Sequence, residues 1–238
     1  MNQAKIEGQT NAGCLLFMSA ACSDQHRRDA SDITLYTQLA ASKKYSRFND
    51  AQRWKQTWIA ALTRFGWALK RHESLTLPAA ELGTGTLWDW VRQHLPPFFP
   101  KALVQDGEIM AKRSIAAHPR QPAVNRLLRH IIEPSSPSAH PSESYEPGLG
   151  LQFAFCGAAS ELYLIVLSFN SRQTLNPLLL NEMLDPKAVV GNVELTYYAV
   201  QLNELIYAPL REKISQALES RRADLICGLR EVNDGQPK

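Results

Sequence analysis

Apolar positions along the chain change their spacing several times, and each change marks an element. Ile33, Leu35, Tyr36, Leu39 and Ala40 recur at helical spacing, with Ser31 or Asp32 placed to cap them. Lys43 and Lys44 close this first predicted helix with charges that suit its dipole. A second helix follows, capped by Asn49 or Asp50. At 100° per residue, Trp54, Trp58, Ala61, Leu62 and Phe65 occupy one face about 100° wide. Arg53, Gln56, Thr57, Thr63 and Arg64 fall on the other side. Aromatic residues segregated in this way predict a core face rather than a ligand platform. Gly66 then supplies the C′ position that ends the helix.

The next stretch, WALKRHESLTL, alternates. Trp67, Leu69, Arg71, Glu73, Leu75 and Leu77 take one side and Ala68, Lys70, His72, Ser74 and Thr76 the other. Charge on both sides predicts an edge strand. A short helix over TGTLWDWVRQHLPP has Leu87, Trp88, Val91 and Leu95 as its apolar stripe, with Trp90 near the boundary, and stops at Pro96-Pro97. Phe98 and Phe99 follow between prolines. Trp90, Phe98 and Phe99 form the candidate partner surface; the alternative is that these rings turn inward and complete the core. Two further helices are predicted, one over KALVQDGEIMAKRSIAAH, weakened by Gly107, and one over QPAVNRLLRHIIE, with Pro122 at its first position.

Residues 134–150, rich in Pro, Ser and Gly, predict a flexible internal loop. Beyond it, LQFAFCGA and ELYLIVLSFN predict a β-hairpin, while NPLLLNEML and VELTYYAVQL carry weaker strand signals. Asn203 starts a long last helix with Ile206, Leu210, Ile214, Ala217 and Leu218 on one side and a bend at Pro209, and ADLICGL predicts a closing strand. The expected fold is α+β: N-terminal helices packed with a mainly antiparallel sheet, and a long C-terminal helix. Residues 1–30 are expected to be a flexible arm, 31–229 a single domain and 230–238 a tail.

Composition narrows the function classes. With 26 Lys and Arg against 23 Asp and Glu, the net charge of +3 gives little electrostatic drive toward nucleic acid or membrane. Basic residues come as scattered pairs (Arg27-Arg28, Lys43-Lys44, Lys70-Arg71, Lys112-Arg113, Arg221-Arg222), so nucleic acid is not an expected partner. Cys14, Cys22, Cys156 and Cys227 show no CxxC spacing and are too sparse for a disulfide scaffold, which predicts reduced thiols and a cytoplasmic protein. The apolar run AGCLLFMSAACS lacks a positive segment before it, and Ser19 stands where a lipoprotein signal wants an aliphatic residue, so it is read as no targeting segment. No run reaches the roughly 18 apolar residues of a membrane span.

Phosphate-loop, dinucleotide, HExxH and GxSxG signatures are missing. His26, His72, His94, His118, His130 and His140 are dispersed, and none is read as having a second His or Cys at ligand spacing. Glu161, Glu182, Asp185 and Glu194 fall near strand ends or loops with no pairing visible in sequence. No catalytic residue, cofactor or metal ligand is assigned.

Between residues 33 and 229, LAASKKYSRFNDAQRWKQTWIAALTRFGW, LQFAFC, LYLIVLSFN and LNELIYAPLREKISQAL resemble a poorly characterised family of bacterial and fungal proteins. The resemblance implies a helix ending in Gly-Trp before a strand, more helices, a β-hairpin, and a C-terminal helix with Tyr207 and Arg211 near its start. It implies no enzyme activity, and it links some bacterial members to gene clusters for α-helical pore-forming toxins. The longer Pro/Ser loop and NPLLLNEMLDPKAVV depart from the family pattern. The resulting expectation is a non-catalytic interaction or accessory protein with a protein partner or self-association. The alternatives are an enzyme with a dispersed active site and a weak nucleic-acid-binding protein.

Overall fold

The computed structural model describes residues 6–134, 146–158, 160–176 and 178–230. Its centre is made by two runs too densely apolar to alternate with polar residues, β2 (Cys14–Ser19) and β4 (Gly148–Cys156). They lie parallel, with Cys14 opposite Gln152 and Met18 opposite Cys156. Both are covered on two faces, which is why they read as continuous hydrophobic runs. On one side β2 pairs antiparallel with β1 (Ile6–Asn11), which pairs with the short β7 (Ile226–Gly228). On the other, β4 pairs with β5 (Glu161–Ser171), then β6 (Val189–Leu202), then β3 (Trp67–Pro78). The order is β3-β6-β5-β4-β2-β1-β7, mixed through the single β2/β4 parallel pair.

Two helical layers sandwich the sheet. Leu15, Phe17, Phe153, Phe155, Ile165 and Leu195 point into a core closed by α3 (Leu87–Gln93), α4 (Lys101–Ala117) and α5 (Pro122–Ile131). Leu16, Met18, Leu162, Leu164 and Val200 point into a second core under α1 (Asp24–Ser42), α2 (Ala51–Arg64) and α6 (Glu204–Leu225). The expected α+β class holds, with the 22-residue α6 as the long C-terminal helix. Trp54, Trp58 and Leu62 are buried as predicted, the two indoles stacked with centroids 6.1 Å apart, while Phe65 is half-buried. Gly66 ends α2 at φ +86°, a conformation that strains any residue with a Cβ. Gly107 is no weak point: a Cβ there would come within 2.9 Å of Phe155 and 3.0 Å of Phe17, so its absence lets α4 settle onto the sheet.

Four expectations need correction. Residues 6–19 are not a flexible arm; they form β1 and β2, joined by a tight turn in which Ala12 has φ +50°. β2, buried on both faces, has no alternation to reveal it, and β1, IEGQTN, is mostly polar. The first helix starts at Asp24, its cap Ser23 lying about two turns before the predicted caps, because the Ser23 side chain accepts the His26 N–H (3.1 Å). NPLLLNEML is not a strand. Its Leu179, Leu180 and Leu184 plug the core beside α3, and Leu184 N–H donates to the Gly85 carbonyl (2.8 Å). Finally, β3 is the edge strand expected, but its alternation breaks where the register shifts between Leu69 and Arg71. This bulge at Lys70 sends Trp67 and Leu69 to the α1/α2/α6 side, and Arg71, Glu73, Leu75 and Leu77 to the opposite side. The greater part of the Pro/Ser loop and nearly all of the tail, residues 135–145 and 231–238, lie outside the described residues.

Candidate functional site

The predicted aromatic surface divides on folding. Trp90 is fully buried, its indole N–H donating to the Gly83 carbonyl (2.9 Å) and its ring set edge-on to Phe169. Phe99 is buried against Phe155, Tyr163 and Tyr197. Both therefore complete the core: Phe169 of β5 covers Trp90 at the boundary of its helical stripe, and Leu179, Leu180 and Leu184 belong to the same cluster. Phe98 alone stays half-buried. It lines a groove of about 310 Å³ with Lys70, Arg71, Glu161, Tyr163 and Ala199.

That groove adjoins the exposed edge of β3. Residues 68–74 are all exposed although they are in a strand, and among the described residues β3 pairs only with β6. An unpaired edge presents free backbone donors and acceptors to another chain. Leu69 is exposed on the same strand, and Leu205 (89% exposed) and Ile206 (48%) are exposed in the first turn of α6, where Ile206 packs over Gly66. The sequence placed Ile206 on the buried side of α6, whereas Tyr207, Ile214 and Leu218 take that role.

Tyr207 and Arg211, singled out by the family resemblance, act between helices. Arg211 makes a two-pronged ion pair with Asp29 of α1 (Nε–Oδ1 and Nη2–Oδ2, both 2.8 Å) and a second with Glu204 (2.7 Å). The Tyr207 hydroxyl donates to the Asp29 carbonyl (3.4 Å), and its ring meets Trp67 edge-on. A second cation, Arg47, ties the α1–α2 turn to the sheet. Its guanidinium donates to Gln38 Oε1 (2.6 Å) and to the Gly150 carbonyl (3.2 Å) and lies over the Trp54 ring (4.3 Å). Burial lowers its pKa to about 10. Beside it is a space of about 20 Å³, room for one water next to the unpartnered Gln152 Nε2.

A different group of residues meets where β2 and β4 end and α1 begins. The Cys22 N–H donates to the Ser19 carbonyl (3.0 Å), a turn that brings the Cys22 thiol under the end of β4. Cys22 Sγ lies 3.3 Å from Cys156 Sγ and donates toward the Cys156 and Gly157 carbonyls (3.1 and 3.0 Å). His26, in the first turn of α1, stacks its ring on Trp67 (centroids 5.7 Å apart). One donor atom from each of Cys22, His26 and Cys156 lies within 4.8 Å of the others. All three residues are buried, and neither ring nitrogen of His26 has a hydrogen-bond partner among the described residues. Arg27 braces the turn from outside, donating to the Cys22 and Ser19 carbonyls (3.2 Å each) and pairing with Glu7 (2.9 Å).

The environment separates the two thiols. The Cys156 hydrogen bond, with the charge of Arg27 helping and burial opposing, lowers the Cys22 pKa to about 7; the same contact and burial push Cys156 up. Burial holds His26 below the ordinary imidazole value, partly offset by the Glu161 backbone carbonyl, which faces the ring without reaching hydrogen-bond geometry. Sequence reading passed over this cluster. The signal available was Cys22-x-x-x-His26, four residues apart at a helix start; Cys156, 130 positions after His26, gave none.

No protein-family model matches the chain, and no curated protein matches it. No helix among the described residues is long and apolar enough to cross a membrane.

Proposed function

We propose that the protein is a non-catalytic interaction protein that docks an extended segment of a partner protein along β3. The observation that carries this reading is the exposure of residues 68–74, a strand with a free edge at the end of the sheet. Added strands gain affinity from backbone hydrogen bonds and specificity from side-chain recesses. The regular stretch runs from Arg71 onward, because the bulge at Lys70 interrupts the ladder. Next to it, the groove lined by Phe98 and Tyr163 suits an apolar side chain, and Lys70 and Arg71 suit an acidic one. Pairing of Arg27, Lys112 and Arg222 with Glu7, Glu108 and Asp32 favours a protein partner over nucleic acid. The resemblance to a family with some bacterial members linked to gene clusters for α-helical pore-forming toxins makes a component of such a system the first partner to test.

The test is binding of the purified products of neighbouring genes, measured by calorimetry against the wild type and against Arg71→Glu and Phe98→Ser. The expected result is a partner whose Kd rises at least tenfold with each variant while the melting temperature stays within a few degrees. A partner bound equally well by both variants overturns the reading.

A further inference from the structure

Cys22, His26 and Cys156 bring two sulfurs and an imidazole together at the C-terminal ends of the parallel strands, beside the first turn of α1. Two of the three come from one local turn, since Cys22 and His26 are four residues apart, and the third is delivered by β4. That split between a local pair and a distant ligand fixes the cluster through the fold. Neither ring nitrogen of the buried His26 has a hydrogen-bond partner among the described residues, and one of them lies within 4.8 Å of both sulfurs. A buried polar group left this way calls for a ligand.

We propose that Cys22, His26 and Cys156 bind a thiophilic metal ion of the zinc class. Thiolate and imidazole donors select soft or borderline ions and disfavour magnesium and calcium, which take oxygen ligands. Zinc–sulfur and zinc–nitrogen bonds of about 2.3 and 2.0–2.1 Å put tetrahedral ligand atoms roughly 3.5–3.8 Å apart. The sulfurs are already 3.3 Å apart and all three donors lie within 4.8 Å, so side-chain rotations of about an ångström close the set. Three protein ligands leave a fourth position for water or a small anion. The ion ties the start of α1 to the end of β4, and through the His26–Trp67 stack it also touches the beginning of β3. This inference goes beyond partner docking and stands whether or not β3 binds a partner.

The experiment uses the reduced, metal-stripped full chain. It is dialysed against zinc alone, and in parallel against cobalt, whose thiolate charge-transfer absorption reports sulfur ligation. The expected result is one equivalent of zinc, a cobalt spectrum with thiolate bands, and a melting temperature raised by zinc. Cys22→Ser, Cys156→Ser and His26→Ala should each weaken zinc binding at least about 100-fold, since losing a ligand exceeds the 10–100-fold effect of an outer partner. Cys227→Ser, outside the cluster, should bind as the wild type does. Because His26→Ala removes a buried ring, His26→Cys serves as the second variant: it supplies another thiolate and should retain zinc. Equal zinc uptake by the wild type and by Cys22→Ser overturns the proposal. So does a wild type that forms a Cys22–Cys156 disulfide on mild oxidation but holds no metal when reduced.

Discussion

Strands β2 and β3 occupy opposite extremes of the same sheet. β2 has a neighbour on each edge and a helical layer on each face, and its residues from Cys14 to Met18 are all buried. Among the described residues β3 has one neighbour, and only Trp67 along its length is buried. In β2 each side chain is fixed by surrounding volume, so residue identity there acts on stability. In β3 most side chains meet water, so residue identity there is free to serve recognition. The difference shows in composition, CLLFMS against LKRHES, before any contact is measured.

The strongest way to break this comparison is through Phe17, which stacks on Phe155 (centroids 5.3 Å apart) and leans on Trp88 (5.9 Å). Phe17→Ala should cost about 3–5 kcal/mol in chemical denaturation, the range for deleting a core aromatic. Leu69→Ala on β3 should stay within about 0.5 kcal/mol. Similar costs for the two would mean that the exposed strand is covered in solution.

Next in size is the contact between helices on the second face. Asp29 has a side chain 2% exposed and is held by Arg211, itself 28% exposed. Arg211→Ala should cost about 2–3 kcal/mol, below the full penalty for stranding a buried charge because water reaches the arginine side. Asp29→Asn in that background should recover part of the loss. If Arg211→Ala is neutral, the α1–α6 pair adds nothing to the layer that carries β3 and α6's exposed first turn.

What could be read beforehand follows the same division. α2, the edge strand β3, the β4/β5 hairpin, Gly66 and the Asn203 cap all announce themselves through a period or a capping residue, and the structure has each of them. β1 and β2 do not: β2 is buried on both faces, which erases the alternation that marks a strand and leaves an apolar run resembling a targeting segment, while β1, IEGQTN, is mostly polar and has too few β-branched or aromatic residues to announce a strand. Trp90 lies at the boundary of its helical stripe, but long-range packing by Phe169 decides that it is buried. The Cys22–His26–Cys156 cluster depends on the parallel β2/β4 pairing, a contact between residues more than a hundred positions apart. Local spacing gives two of its three residues, and topology gives the third.

A smaller effect tests the end of the β3 connection. Thr86 and Asp89 form a reciprocal cap on α3: the Thr86 N–H and hydroxyl both donate to Asp89 Oδ2 (2.8 Å each), and Arg92 pairs with the same carboxylate. The Thr86 N–H is the largest influence holding the Asp89 carboxyl below its ordinary pKa. A depressed folded-state value means stabilisation that is complete above the unfolded carboxylate pKa of about 4 and is lost as pH falls through the folded value. Asp89→Asn should therefore cost about 1 kcal/mol at pH 7, the difference between charged and neutral acceptors. The gap from wild type should narrow in denaturation curves taken below about pH 4. A constant gap would assign the loss to packing of α3 instead.

The smallest expected change in stability is also the one that matters most for the proposed docking edge. Arg71 and Glu73 are exposed neighbours on the same face of β3, beyond the bulge, so reversing either charge removes no buried contact. Arg71→Glu and Glu73→Arg should each shift stability by no more than about 0.5 kcal/mol. Placed opposite a partner strand, however, the same reversals set like charges against whatever complements Lys70, Arg71 and Glu73, and cross-strand like charges are destabilising. The double reversal is the sharper reagent, because it keeps net charge and strand propensity while inverting the pattern. Unchanged thermal unfolding with partner affinity reduced at least tenfold would put recognition on the β3 edge. Unchanged affinity would move it to the exposed apolar first turn of α6, Leu205 and Ile206, where Leu205→Glu is then the discriminating variant.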